Sequence, residues 1–154
     1  MQQADEILDF LNTKLGAESL VWQGDHASIK FEDETIIDFV KIDMHTIELV
    51  HVIEKFTGVA DATICTNLLI GNYQGGMTGA ARLSLTPDFK TLALCSRIDV
   101  RAIDTVLFEE LMTDFLKYVQ FWNSDEAASY LQGDEEVMNT AAAPQDTEAF
   151  MTRV

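Results

Sequence analysis

Basic residues are scarce in this sequence. Lysine and arginine together number 10 against 26 aspartates and glutamates, so the net charge is −16 with neutral histidines. A surface this negative repels phosphate groups, which makes nucleic acid and anionic membranes poor partners. Acidity keeps a protein soluble and apart from its copies, and it also complements a basic partner segment and speeds its capture. We assign most of the charge to solubility.

Cysteines are few, and long apolar runs are absent. Cys65 and Cys95 lie inside short apolar segments, which predicts reduced core thiols rather than a disulfide or a metal pair. No stretch approaches the roughly 18 consecutive apolar residues that a membrane helix needs. The first six residues carry no basic region followed by an apolar core, so we expect no signal peptide and a cytoplasmic location.

Groupings of residues that would support catalysis are also missing. The three histidines stand apart, with His26 at a strand start, His45 in a turn and His51 within a strand. His45 and Glu48 are too few to make a zinc site. The glycines between positions 71 and 79 follow a helix and precede a strand, which is the wrong order for a phosphate-binding loop. We therefore predict no enzyme activity, no metal and no cofactor.

Hydrophobic periodicity predicts one helix and then three strands in the first part of the chain. Residues 4–15 carry apolar side chains at helical spacing, and Gly16 is placed to end that helix. The period then changes to two in His26–Asp33, Thr35–Asp43 and Thr46–Phe56, which predicts an antiparallel meander. The second and third strands are apolar on both faces, so the face that helices leave open requires another cover or a partner.

A helix, two strands and a long helix are predicted for the remainder. Asp61 is a good N-cap for the second helix, whose predicted apolar face comprises Ile64, Cys65, Leu68, Leu69 and Tyr73. Two alternating strands flank a turn at Thr86–Lys90. Asp104 caps the last helix, and Asn123–Asp125 interrupts it. The predicted stripe of that helix is Ile103, Leu107, Leu111, Phe115, Tyr118 and Trp122, widened by Phe108, Met112, Leu116 and Val119.

These elements predict an α+β fold with the order α-β-β-β-α-β-β-α, in which helices pack on one face of a twisted antiparallel sheet. The predicted domain covers residues 1–132. After Gly133 the pattern fails, and residues 133–154 contain five acidic residues and one arginine. We expect that segment to be an acidic, disordered tail.

Four segments resemble the class I type III secretion chaperones, the Tir-chaperone family. They are the opening helix Ile7–Gly16 (ILDFLNTKLG), the Leu-Leu-x-x-Asn segment Leu68–Tyr73 (LLIGNY), the amphipathic hairpin Ala81–Leu94 and the aromatic final helix Phe108–Trp122. The resemblance covers residues 4–131 and leaves the tail unexplained. One segment departs from the family, because Thr46–Phe56 lacks the glycines or prolines that often end its third strand.

The resemblance implies a homodimer that binds the N-terminal region of one or more secreted effectors in extended form. Apolar side chains of the effector would enter surface grooves, and the segment would sometimes add a strand to the sheet. The secretion ATPase is a further implied partner. For partner binding we predict Phe10, Ile29, Phe31, Ile37 and Phe39. For the dimer interface we predict Leu68, Leu69, Ile70 and Tyr73.

Two other interpretations stay open at this stage. A YbjN-like adaptor or regulatory protein of the same fold would bind a folded cytosolic partner instead. A small-molecule or hydrolytic enzyme would require His51 or His45 to line a pocket beside a carboxylate.

Overall fold

The computed structural model describes residues 4–15, 20–31 and 34–131, without the side chains of Leu15 and Ser129. The predicted element order is confirmed, and a further short helix follows the break after Trp122. The predicted helix end at Gly16, the turn residue Asp33 and the tail 133–154 lie outside the described residues. The elements are α1 (Asp5–Leu15), β1 (His26–Lys30), β2 (Ile36–Lys41), β3 (Thr46–Val52), α2 (Ala62–Asn72), β4 (Arg82–Leu85), β5 (Leu92–Asp99), α3 (Thr105–Trp122) and α4 (Asp125–Leu131).

The five strands form one antiparallel sheet in the order β1-β2-β3-β5-β4. The predicted meander of the first three strands is confirmed. Strand β5 pairs with both β3 and β4, so the second hairpin joins the meander through its longer strand. Strands β1 and β4 consequently lie at the two edges of the described sheet.

One face of the sheet carries the hydrophobic core. Alternation along each strand brings Phe39 beside Ala27 and Leu49, and Leu49 beside Ser96. Side chains of the helices pack on this face, so the prediction that helices cover one face is confirmed. The opposite face is mixed: Val50 is half-buried, and Glu48 forms ion pairs with Arg82 and Arg97.

Helix α2 begins as predicted but buries a different side. The Asp61 carboxylate accepts a hydrogen bond from the Ile64 amide at 2.9 Å, which satisfies a free N–H of the first turn. The buried residues of the helix are Ile64, Asn67, Leu68 and Gly71. Leu69 and Tyr73, which we had placed on the same face as Ile64, are exposed. The helix is apolar around most of its circumference, so periodicity alone does not identify its inner side.

Helix α3 shows the same kind of shift. Asp104 caps it by accepting from the Leu107 amide at 2.9 Å, as predicted. Its buried residues are Phe108, Met112, Phe115, Val119 and Trp122. The centre of the buried face therefore falls mainly on residues that we had treated as widening the stripe, whereas Leu107 is exposed.

The loop between α2 and β4 packs closely against α3. The fully buried Trp122 donates its indole N–H to the Met77 carbonyl at 2.9 Å. Gly79 has φ +58°, and a Cβ atom there would lie 2.5 Å from the Tyr118 ring. A side chain does not fit at this position, so the glycine is required for the loop to contact the helix.

Candidate functional site

A cavity of about 330 Å³ opens between α1, the end of β1, and α3. We name it the aromatic groove because four phenylalanines line it: Phe10 of α1, Phe31 just after β1, Phe39 of β2 and Phe108 of α3. Its lining residues are Phe10, Leu11, Lys14, Ile29, Phe31, Phe39, Phe108, Glu109, Met112, Thr113 and Leu116. A mostly apolar concavity with a few charged side chains is typical of ligand and peptide sites.

The local structure explains how separate elements supply this groove. Strand alternation directs Ile29 to the same face of the sheet as Phe39, because Ala27 pairs with Phe39 and Ile29 pairs with Ile37. The Phe10 ring of α1 contacts the Phe108 ring of α3 edge-to-face, with centroids 6.0 Å apart and planes at 78°. This contact positions the two helices beside the strands, an arrangement that aromatic pairs favour.

The groove contains four of the five residues that we predicted for partner binding. Phe10, Ile29 and Phe31 are partly accessible. Phe39 is 0% exposed, so it forms the floor of the groove as part of the core. Ile37 is also 0% exposed and does not line the groove.

The sequence analysis did not predict the wall of the groove that α3 forms. Helix α3 supplies Phe108, Glu109, Met112, Thr113 and Leu116. The unusual breadth of the apolar stripe on this helix was the available signal, because a helix apolar on two sides has more than one surface to cover.

An ion pair lies at the rim of the groove. Lys14 of α1 contacts the Glu109 carboxylate of α3 at 2.6 Å, and both side chains are about half exposed. The Lys14 ammonium also lies 5.9 Å from the centre of the Phe10 ring, within the distance at which a cation is attracted to an aromatic face. A cation therefore sits between a carboxylate and an aromatic ring at the mouth of an apolar cavity.

A second apolar surface lies on α2 and the residue that follows it. Leu69 is 71% exposed, Ile70 45% and Tyr73 71%. We name these three residues the α2 patch. Leu68, which we had grouped with them, is 5% exposed and packs inside its own chain. Only the other three predicted interface residues are accessible to a second chain.

His51 lines a second cavity, of about 310 Å³, together with Glu34, Asp38 and Glu54. His51 is buried, with Nδ1 2.8 Å from the Ile36 carbonyl oxygen and Nε2 3.0 Å from the Asn123 amide nitrogen. A carbonyl oxygen can only accept and an amide nitrogen can only donate, so Nδ1 donates and Nε2 accepts, and both ring nitrogens are engaged. Within residues 4–15, 20–31 and 34–131, no three or more His, Cys, Asp or Glu side chains are grouped to hold a metal ion.

The shifted pKa values belong to charged groups at the surface and to one buried thiol. Hydrogen bonds from Arg101 lower the pKa of the Asp99 carboxyl to about 2. A hydrogen bond from the Thr86 hydroxyl lowers the pKa of Asp88, and burial raises the pKa of the Cys95 thiol. None of these groups lines the aromatic groove, so the shifts reflect local structure rather than chemistry at the site.

Helices long and apolar enough to cross a bilayer are absent from the part of the chain that the structure describes.

A family model and several solved structures that match this chain agree on its fold. The sequence model of the Tir chaperone protein (CesT) family matches residues 6–123. The solved ExsC–ExsE complex aligns with a TM-score of 0.60 at 13% identity, covering 77% of this chain and 90% of the other. The HopA1–SchA chaperone–effector complex also gives 0.60, at 12% identity, covering 77% and 91%.

A third solved structure is the Yersinia pestis type III secretion chaperone SycH in complex with a stable fragment of YscM2. It aligns with a TM-score of 0.56 at 15% identity, covering 75% of this chain and 97% of the other. At these identities the structural likeness shows the fold. A comparison with curated protein sequences gives no match.

Proposed function

Because the chain belongs to the Tir chaperone protein (CesT) family, we propose that it binds the N-terminal segment of a type III secreted effector. The segment would be held in extended form, which keeps it soluble and competent for secretion. The sequence-based assignment to this family is confirmed by the family match. Family members are chaperones rather than enzymes. His51 does line a cavity together with the carboxylates of Glu34, Asp38 and Glu54, but both of its ring nitrogens are engaged by Ile36 and Asn123.

The observation that carries this function is the aromatic groove. Its apolar surface remains accessible although the chain buries an extensive core on the same face of the sheet. An apolar concavity of this kind gains free energy when it covers apolar side chains, at about 25 cal/mol per Å² of surface removed from water. Side chains of an extended segment can fill it without the segment being folded.

The edge position of β1 supports an extended guest. Among the described strands β1 pairs only with β2, and its end lies beside the groove through Ile29 and through Phe31, the residue that follows the strand. A guest strand added to this edge would form main-chain hydrogen bonds that require no particular sequence. Its alternate side chains would then face the groove, since side chains alternate along a strand.

The net charge of −16 suits this function in the bacterial cytoplasm, where we place the protein. A chaperone must expose apolar surface to capture its guest, and that surface also promotes self-association. Mutual repulsion between highly charged copies opposes such aggregation.

We further propose that two copies associate through the α2 patch. Leu69, Ile70 and Tyr73 form a contiguous turn of apolar surface that its own chain leaves exposed. Burying these side chains against a second copy would remove them from water. The secretion ATPase, as a later partner, stays a prediction from the family resemblance.

The function is tested by co-purification from the native host, followed by reconstitution with purified components. We expect one or more secreted proteins to co-purify, and their isolated N-terminal segments to bind the chain with a stoichiometry of one segment to two chains. Ile29→Ser and Phe31→Ser should each weaken that binding at least about tenfold, because each removes a large apolar contact.

Met44→Ser is the matched control, because Met44 is exposed and does not line the groove. Circular dichroism spectra should show that all three variants keep the fold. Unchanged affinity of the two groove variants, with the fold intact, would contradict the groove as the binding site.

A further inference from the structure

We propose that Glu109 selects guest segments that carry a lysine or arginine next to their apolar anchor residue. The inference rests on the proposed function, because it concerns the chemistry of what enters the aromatic groove. The anchor would lie on the apolar floor, and its basic neighbour would replace Lys14 at the Glu109 carboxylate. Glu109 would thus be a specificity-determining residue of the groove.

Lys14 shows that the rim accommodates a cation. Its ammonium contacts Glu109 at 2.6 Å and lies 5.9 Å from the centre of the Phe10 ring. The side chains of Glu109 and Phe10 both line the groove. An incoming lysine would find the same carboxylate and the same aromatic ring, and an incoming arginine could also donate two hydrogen bonds to the carboxylate.

Because this ion pair is exposed to solvent, replacing Lys14 with a basic residue of the guest requires little free energy. The side chains of Lys14 and Glu109 are 56% and 48% exposed, and exposed ion pairs contribute little to stability because water and salt screen them. Glu109 can therefore release Lys14 at small cost. A bound guest shields the rim from water, which strengthens the new pair relative to the old one.

The surface beyond the rim adds to the preference for a cation. A shallow cavity on α3 is lined by Val106, Glu109, Glu110, Thr113, Asp114 and Lys117. Glu109 belongs to both this cavity and the groove. The shallow cavity has three carboxylates, those of Glu109, Glu110 and Asp114, and one cation, that of Lys117. A guest that leaves the groove on this side therefore crosses an acidic surface.

The same charges disfavour the chain's own C-terminal segment as the occupant. Residues 133–154 contain five acidic residues and one arginine. That segment would bring like charge to Glu109 and to residues 1–132, which carry 21 acidic and 9 basic residues and a net charge of −12. A basic, apolar segment of another protein fits the rim better.

A display selection on the full chain tests the proposal. A random 12-residue peptide library is selected against the wild type, Glu109→Gln and Glu54→Gln, with the groove variant Phe31→Ser as the negative reference. Glu54→Gln is the matched control, because it removes one exposed negative charge that does not line the groove.

We expect the wild type and Glu54→Gln to enrich peptides in which lysine or arginine adjoins large apolar residues. Glu109→Gln should keep the apolar preference and lose the basic one. For a selected basic peptide, Glu109→Gln should weaken binding about two- to fivefold, and Lys14→Gln should strengthen it by a similar factor, in line with exposed ion pairs.

The other outcomes overturn the proposal in distinguishable ways. If apolar peptides are enriched without basic residues, or if the basic preference survives in Glu109→Gln, the specificity role of Glu109 is wrong while the groove remains a binding site. If no peptide is enriched over Phe31→Ser, both the specificity role and the proposed function fail.

Discussion

At the residue scale, Asn72 attaches helix α2 to the edge strand β4. Its amide nitrogen donates to the Leu83 carbonyl at 3.2 Å, and its amide oxygen accepts from the Leu83 N–H at 2.7 Å. Among the described strands β4 pairs only with β5, so these backbone groups face outward. The amide satisfies them as a neighbouring strand would. The asparagine of the LLIGNY segment thus has a structural role.

Replacing Asn72 should destabilise the fold. We expect Asn72→Ala to lower the free energy of unfolding by about 1–3 kcal/mol, because it leaves a partly buried N–H and carbonyl unsatisfied. Urea denaturation measures the change. Gln120→Ala, at an exposed position of α3, is the control and should cost less than about 0.5 kcal/mol. Equal costs for the two variants would show that the Asn72 hydrogen bonds contribute no net stability.

At the element scale, the α2 patch gives a direct test of the dimer. Leu69→Glu places a charge on an exposed helical position, so the isolated fold should tolerate it, whereas a two-fold interface would not. We expect the wild type to sediment as a dimer and Leu69→Glu as a monomer.

The control for this test is Val106→Glu on α3, because Val106 is 64% exposed, close to the 71% of Leu69, and lies outside the α2 patch. This variant should sediment as the wild type does. A monomeric wild type, or a dimer that Leu69→Glu leaves intact, would exclude the α2 patch as the interface.

The comparison of strands with helices shows what sequence patterns can establish. A strand has two faces and a period of two, so the side of Ile29 and Phe39 followed directly from alternation. In a helix that is apolar around most of its circumference, the sequence pattern does not identify the buried side. The buried sides of α2 and α3 were therefore predicted incorrectly. The burial of Leu68 and the exposure of Leu69 depend on how α2 packs on the sheet.

The groove was only partly predictable from the sequence, because one of its walls depends on how α3 packs against α1. Phe10, Ile29 and Phe31 were predicted for partner binding together with the family resemblance, and all three are partly accessible in the groove. The contribution of α3 arises from a contact between Phe10 and Phe108, nearly one hundred residues apart. Such long-range packing is not encoded in the periodicity of either segment. The ion pair between Lys14 and Glu109 depends on the same approach of the two helices.

At the scale of the whole molecule, the two edges of the sheet differ. Strand β4 is covered at Leu83 by the Asn72 side chain. Strand β1 ends beside the aromatic groove. An edge next to an apolar concavity offers a guest both main-chain hydrogen bonds and pockets for its side chains. We therefore propose β1 rather than β4 as the edge that binds the guest, and the excess of negative charge would keep that exposed surface soluble.

Hydrogen–deuterium exchange of the full chain, with and without the N-terminal segment of a co-purified secreted protein, tests the proposed function most directly. Amide exchange reports where a guest strand forms hydrogen bonds. We predict slower exchange at His26–Lys30 and Phe31 on binding, and unchanged exchange at Arg82–Leu85. Protection confined to Arg82–Leu85, or binding that leaves His26–Phe31 unprotected, would contradict capture of an extended guest at β1 and the aromatic groove.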